Sequence, residues 1–285
     1  MQFSLQPVEP IDYLVIGHVT TDLTPNGPIL GGTASYAALT AKALGLRVGI
    51  VTACSAEQPL AELEGIQIVA HYSEYSSTFE NIQTPHGRVQ YLHHQAIPLT
   101  LAEVPEIWRD TPVIHLGPVD QEVDPNLVRS FPNSIVGLTP QGWLRGWDKN
   151  GKVHFAEWPE ANYVLSHASA AVLSIEDVRG DETRIEEMLS SIRILVVTEG
   201  AQGARLYWNG DLRRFRPPYM NEIDPTGAGD IFATAFFSRL QTTRDPWESC
   251  RFATNLAAFS VTRRGLLGVP TPAEVQTCMM EVITK

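Results

Sequence analysis

Cysteine is scarce: Cys54, Cys250 and Cys278 stand far apart, and no two form a CxxC pair. This argues against a disulfide framework or a thiolate zinc site and fits reduced thiols in a cytoplasmic protein. Positive charge is also in deficit, with 21 Lys and Arg against 32 Asp and Glu, for a formal net charge of −11. Such a surface repels phosphate backbones, so nucleic acid is not an expected partner. The deficit leaves room for an anionic cosubstrate, because a local nest of backbone N–H groups binds phosphate on an acidic protein. No run approaches the roughly 20 apolar residues of a membrane helix, so no membrane partner is expected. The opening MQFSLQPVEP lacks a basic region followed by an apolar stretch, so no signal peptide is expected either. No GxGxxG follows the first strand, which weakens a dinucleotide fold, and no GxSxG supports a hydrolase elbow. The segment G-WDKN-GKV at 146–153 stops one residue short of a nucleotide P-loop. Val153 stands where a magnesium-binding hydroxyl is needed, and the polar Asn150-Gly151 step reads as an ordinary hairpin turn.

What is present is ordinary globular material, 44% hydrophobic and 19% charged over 285 residues, enough for one large α/β domain with a full core. DYLVIG (12–17) is a short apolar run ending in glycine, the form of a buried strand. GGTASYAALTAKALGL (31–46) is a glycine pair leading into an Ala-rich helix, and RVGIVTA (47–53) is again strand-like. The unit is a strand–helix–strand crossover, expected to be parallel and right-handed. The alternation of 76–95 around a PHG turn predicts a hairpin, and Asn209-Gly210 predicts another across 204–215. Runs at 112–117, 134–139, 170–175 and 193–200 read as strands, separated by stretches that could each hold a helix. Helices are predicted over 228–240, 246–262 and 272–282. His93 and His94 fall on opposite faces of the first hairpin, which argues against a shared metal. The aromatics between Trp143 and Trp158 read as core or rim. The fold class is therefore α/β, a mostly parallel sandwich with an early β excursion.

The stretch NEIDPTGAGDIF (221–232) carries the most chemistry. Asp224-Pro225 opens a turn. Gly227 and Gly229 permit a sharp bend and close approach of a ligand. A helix then begins, whose free N–H groups make an anion site with Asp230 in its first turn. By itself the pattern also suits a helix start favoured by its dipole.

Further segments fall around it in one order: GHVTTD (17–22), GGTASYAA (31–38), VLSIED (172–177), VTEGAQG (197–203), DPTGAGD (224–230) and NLAAFSVTRRG (255–265). This ordered set resembles the ribokinase-like, phosphofructokinase-B type carbohydrate kinase family, through nearly the whole chain. The resemblance implies a single domain over 1–285, a three-layer sandwich around a mostly parallel sheet. A small β lid would come from about 18–30 and 72–97. It implies transfer of a phosphoryl group from ATP, with Mg²⁺, to a hydroxyl of a small sugar or polyol. Asp230 matches the family's catalytic base, and the backbone of Gly227, Ala228 and Gly229 its anion hole. Asp22 matches the aspartate that holds substrate hydroxyls, and Gly31 and Gly32 the pair that lets substrate lie against backbone. Thr198 and Gly200 match the turn that meets the nucleotide, and Asn255 a residue lining the adenine pocket. In part of the family a monovalent cation, K⁺, sits near the position of Asp224 and the 261–268 loop. The lid of relatives often pairs subunits, so a monomer or a homodimer through the lid is expected.

Two departures bear on substrate. The family's N-x-x-E is Ser174-Ile175-Glu176-Asp177 here, so Asp177 takes the place of the carboxylate that organises the surroundings of magnesium and Ser174 that of the amide. The sugar-binding Asn of ribokinases is replaced within Ala34-Ser35-Tyr36, which argues against ribose. GGTASYAA, the early hairpin and TPQGWLR (139–145) look closer to a branch that includes inositol kinases. That branch would bring Gln141 to the substrate and Arg145 to phosphate, or leave Arg145 in a surface ion pair. A nucleoside kinase, with Tyr36 and Phe79 as walls for a base, and a ligand sensor without turnover stand as alternatives.

Overall fold

The apolar runs become strands buried on both faces. The computed structural model describes residues 8–84 and 87–279. Its strands begin with β1 (Tyr13–Ile16), β2 (Thr20–Thr24), β3 (Gly27–Gly31), β4 (Val48–Cys54), β5 (Gln67–Tyr72), β6 (Thr78–Thr84), β7 (Gly87–His94) and β8 (Val113–Leu116). They continue with β9 (Ile135–Leu138), β10 (Arg145–Trp147), β11 (Val153–Phe155), β12 (Ala170–Ser174), β13 (Ile194–Thr198), β14 (Ala204–Trp208) and β15 (Asp211–Phe215). The helices are α1 (Gly32–Ala43), α2 (Ala161–His167), α3 (Glu182–Leu189), α4 (Ala228–Thr243), α5 (Pro246–Ser260) and α6 (Pro272–Met279). Pro85 and His86 of the expected PHG turn, and 280–282 of the expected last helix, lie outside the described residues.

Nine strands form the large sheet in the order β15-β14-β13-β12-β9-β8-β1-β4-β5. All neighbours are parallel except β13–β14 and β14–β15 at one edge. Alternation splits β1 cleanly: Tyr13 and Val15 join a core under α1, α4 and α5, while Leu14 and Ile16 join a second core under α2 and α3. Helices on both faces make three layers and explain why these strands read as continuous apolar runs. Asn209 and Gly210 both take positive φ between β14 and β15, the turn their sequence predicts. The near-miss P-loop is a hairpin, β10 against β11, and the Trp143 and Trp158 rings stack at 5.0 Å in the second core.

One expectation fails. Between β8 and β9 the chain makes a short 3₁₀ turn at Pro125–Arg129 and carries no α-helix among the described residues. Pro118, Pro125 and Pro132 punctuate it too often for a continuous helical hydrogen-bond ladder.

A separate four-stranded sheet, β3-β2-β6-β7, stands over the carboxyl ends of the parallel strands. Its roots are tied down by a buried cluster. His18 bonds the Ile97 carbonyl through Nε2 (3.0 Å) and lies 3.3 Å from Asp120, while Ser77 donates to Asp120 (2.6 Å). Glu122 accepts the backbone N–H groups of His18, Val119 and Asp120. Burial disfavours a charge on His18, but the flanking Glu122 and Asp120 carboxylates outweigh it and raise the proton affinity of the ring.

Candidate active site

The glycine turn and the helix it starts form the floor of the site. Gly227 caps α4 in the left-handed region, at φ +80°. A Cβ there would lie 2.2 Å from the Tyr36 ring, so the ring of α1 packs directly on the glycine. Around the place of a Cβ on Gly229 nothing lies within 4 Å, and this residue faces open space. The predicted anion hole needs one correction: the N–H of Ala228 closes the turn on the Pro225 carbonyl (3.2 Å). In a helix beginning at Ala228, the N–H groups of Gly229 and Asp230 are left without intrahelical partners, and donors of this kind suit an anion.

Asp230 sits in that first turn, with Oδ1 accepting from the Thr33 hydroxyl at 2.8 Å. Desolvation pushes its pKa up to about 6; the Thr33 bond and the positive charge of Arg145 oppose this, and Asp177 adds to it. The carboxylate is thus ionised at neutral pH yet basic enough to take a proton.

A cleft of about 850 Å³ opens over this floor, within the usual range for small-ligand sites. It is lined by Asp22, Gly32, Gln141, Ser174, Asp177, Thr198, Gly200, Gly227, Ala228, Gly229 and Asp230, so most of the residues singled out in the sequence converge on one space. At one end stand side chains of the small sheet: Asp22, Phe79, and the pair Asn81 and Gln90, joined at 3.0 Å. Arg145 reaches the cleft from β10, donating to the Val119 carbonyl (3.2 Å) and lying 5.8 Å over the Phe79 ring. Gln141 donates to Asp177 (3.1 Å), whose other oxygen accepts the Ser174 N–H (2.8 Å). Burial raises the proton affinity of Asp177. The other end is more apolar, with Ala201, Pro217, Met220, Ala257 and Val261.

Three predicted residues lie elsewhere. Asn255 is rotated away from the cleft, because α5 presents the face Thr254, Ala257, Ala258 and Val261, at helical spacing. Gly31 lies behind Asp22, where a Cβ would approach the carboxylate to 2.4 Å; it makes room for that side chain and does not line the cleft. Asp224 ties loop to turn, accepting from Thr226 N (3.0 Å) and Gly265 N (2.9 Å). The sequence reading missed Thr33, Asn81 and Gln90. For Asn81 a signal existed, since strand alternation puts it on the face of Phe79. Tyr36 lines the cleft but is only 3% exposed, so it offers no second wall opposite Phe79.

Residues 155–273 match the model of the pfkB family carbohydrate kinases. A cytidine kinase of Thermococcus kodakarensis is 26% identical over 268 residues, 84% of this chain and 92% of that protein. Among solved structures, a pyrophosphate-dependent kinase in the ribokinase family, complexed with a pyrophosphate analog and myo-inositol, superposes with a TM-score of 0.77 at 18% identity, over 93% of this chain and 99% of that one. Ribokinase of Arabidopsis thaliana, complexed with ribose and ATP, gives 0.74 at 15% identity, over 96% and 100%. At such identities the structures establish a shared fold.

Proposed function

We propose that this chain, whose residues 155–273 match the pfkB family carbohydrate kinases and whose fold is shared with ribokinase, is a phosphotransferase that moves the terminal phosphoryl group of ATP to a hydroxyl of a small polyol of the inositol type. The observation that carries the acceptor class is the polar end of the cleft. Asp22, Asn81, Gln90 and Gln141 converge there around the ring of Phe79. Alternating hydroxyls need many short donors and acceptors, whereas a base needs a stacking sandwich that the tucked Tyr36 does not offer.

The donor arrives from the opposite end. The apolar face of α5 and the segment 217–222 suit an adenine ring, and pyrophosphate would leave that surface unused. The N–H groups of Gly229 and Asp230 face the terminal phosphate. Asp230 accepts the proton of the acceptor hydroxyl while its oxygen bonds to phosphorus and the bond to the ADP leaving oxygen breaks. Arg145 and the start of α4 meet the charge of the moving group. Glu176 and Asp177 place carboxylate oxygens in the same wall, a donor set that fits the water shell of Mg²⁺. When bound, the ion neutralises charge on the donor phosphates. The small sheet acts as a lid that keeps water from the phosphoryl group.

The test is ADP release by the purified protein with Mg-ATP and a panel of myo-inositol, hexoses, ribose and cytidine. Turnover of a polyol, absent with pyrophosphate as donor, is expected. Preferred turnover of cytidine would favour a nucleoside kinase, a reading that the long match to the cytidine kinase supports, with Phe79 stacking the base. Binding without turnover of any compound would favour a sensor. Asp22→Ala is expected to raise the acceptor KM about 10- to 100-fold, the worth of a hydrogen bond to a charged group, while the ATP KM stays within about threefold. Equal damage to both constants would make Asp22 structural.

A further inference from the structure

Among the described residues, Thr33 is the one hydrogen-bond donor to the Asp230 carboxylate. The two residues are 197 positions apart and meet where the starts of α1 and α4 converge. Thr33 is 2% exposed and held from its other side as well. A Cβ on Gly117, at the end of β8, would lie 2.6 Å from the Thr33 methyl, so that glycine leaves the socket in which the methyl sits. A β-branched side chain has few χ1 choices. With the methyl seated against Gly117, the hydroxyl is directed at Asp230.

We infer that Thr33 is a positioning residue for the base, holding one oxygen of the Asp230 carboxylate so that the other meets the acceptor hydroxyl. The inference rests on the proposed role of Asp230. A donor to the ionised form also favours that form, so the same bond keeps the carboxylate charged near neutral pH. The other groups around it are Asp177, which raises its proton affinity, and Arg145, which lowers it. The phenols of Tyr13 and Tyr36 also feel its charge, and Tyr36 feels Asp22 and Asp224 in addition. Both tyrosines remain neutral across the range of interest, as burial raises their pKa values.

The experiment titrates the Asp230 carboxyl carbon by NMR in protein labelled at aspartate, with the signal assigned by its loss in Asp230→Asn. The expected midpoint is about 6 in the unmodified protein. Thr33→Val, of nearly equal shape but without the donor, should raise it by about one pH unit. Thr33→Ser should return it to within about 0.3 unit, because the donor is restored. With an accepted substrate, Thr33→Val should lower kcat about tenfold at pH 7 and move its acidic limb upward by the same unit, with the ATP KM unchanged. A midpoint unmoved in Thr33→Val, or a serine variant that behaves like valine, overturns the inference. If Thr33→Val does not fold, Thr33→Ala decides on the same criteria. Near-normal turnover by Asp230→Asn would instead overturn the base itself, whatever Thr33 does to the titration.

Discussion

Asp230→Asn is expected to lower kcat by about 10²- to 10⁴-fold, the usual cost of removing a general base, or roughly 3–5 kcal/mol of barrier. The amide keeps the shape of the carboxylate and can still accept from Thr33, so ATP binding should persist. Stability should move the other way. The folded pKa of Asp230 is about 6 against an ordinary 3.8, so the folded state holds its proton more tightly than the unfolded one. Between these values stability falls as pH rises, and at pH 7 the ionised group destabilises the protein. The asparagine variant should therefore melt about 2–4 °C higher at pH 7 and lose that advantage below pH 4. In the unmodified enzyme the same ionisation should set an acidic limb in kcat near pH 6. Near-normal turnover, or a lower Tm at pH 7, would remove the base from the mechanism.

Gly227→Ala should destabilise the fold through a single added methyl. At φ +80° an L-residue is strained by about 1–2 kcal/mol, and the new Cβ meets the Tyr36 ring at 2.2 Å. Overpacking of this kind costs about 1–3 kcal/mol, so Tm should drop by roughly 5–10 °C. Tyr36 is itself buried, which leaves the ring little room to retreat. Gly229→Ala is the control: its Cβ would meet nothing within 4 Å, so Tm should hold to within about 2 °C. The methyl would instead occupy the approach to the helix start and raise the ATP KM at least about tenfold. Pairing Gly227→Ala with Tyr36→Ala should cost less than the sum of the singles, as expected of residues in contact. Equal losses of Tm at the two glycines would show that the Tyr36 contact is unimportant.

The frame was legible where burial on both faces writes an unbroken apolar run, as in β1 and β12, or where one turn chemistry is required, as at Asn209-Gly210. It was not legible between β8 and β9, where a proline-punctuated 3₁₀ turn carries no period to read. At the site, Asp22, Gly227 and Asp230 were visible because a local motif surrounds each. Thr33 was invisible because its partner is 197 residues away and the socket that aims it belongs to Gly117. Asn255 shows the opposite error: one position along a helix turns a side chain by about 100°, enough to leave a cleft that its neighbours line.

The cleft also divides along the chain. Of the acceptor residues, Asp22, Phe79, Asn81 and Gln90 precede residue 95 and Gln141 also precedes the segment 155–273 that matches the family model, while the helix start, the apolar lobe and the base fall within that segment. Heredity can therefore act on the two ligands separately. Drift in the strands of the small sheet changes what is phosphorylated without disturbing the machinery that delivers phosphate. One lineage could thus spread over polyols, sugars and nucleosides while its delivery half stays recognisable. In such a lineage the stretch of greatest kinship is the least informative about diet.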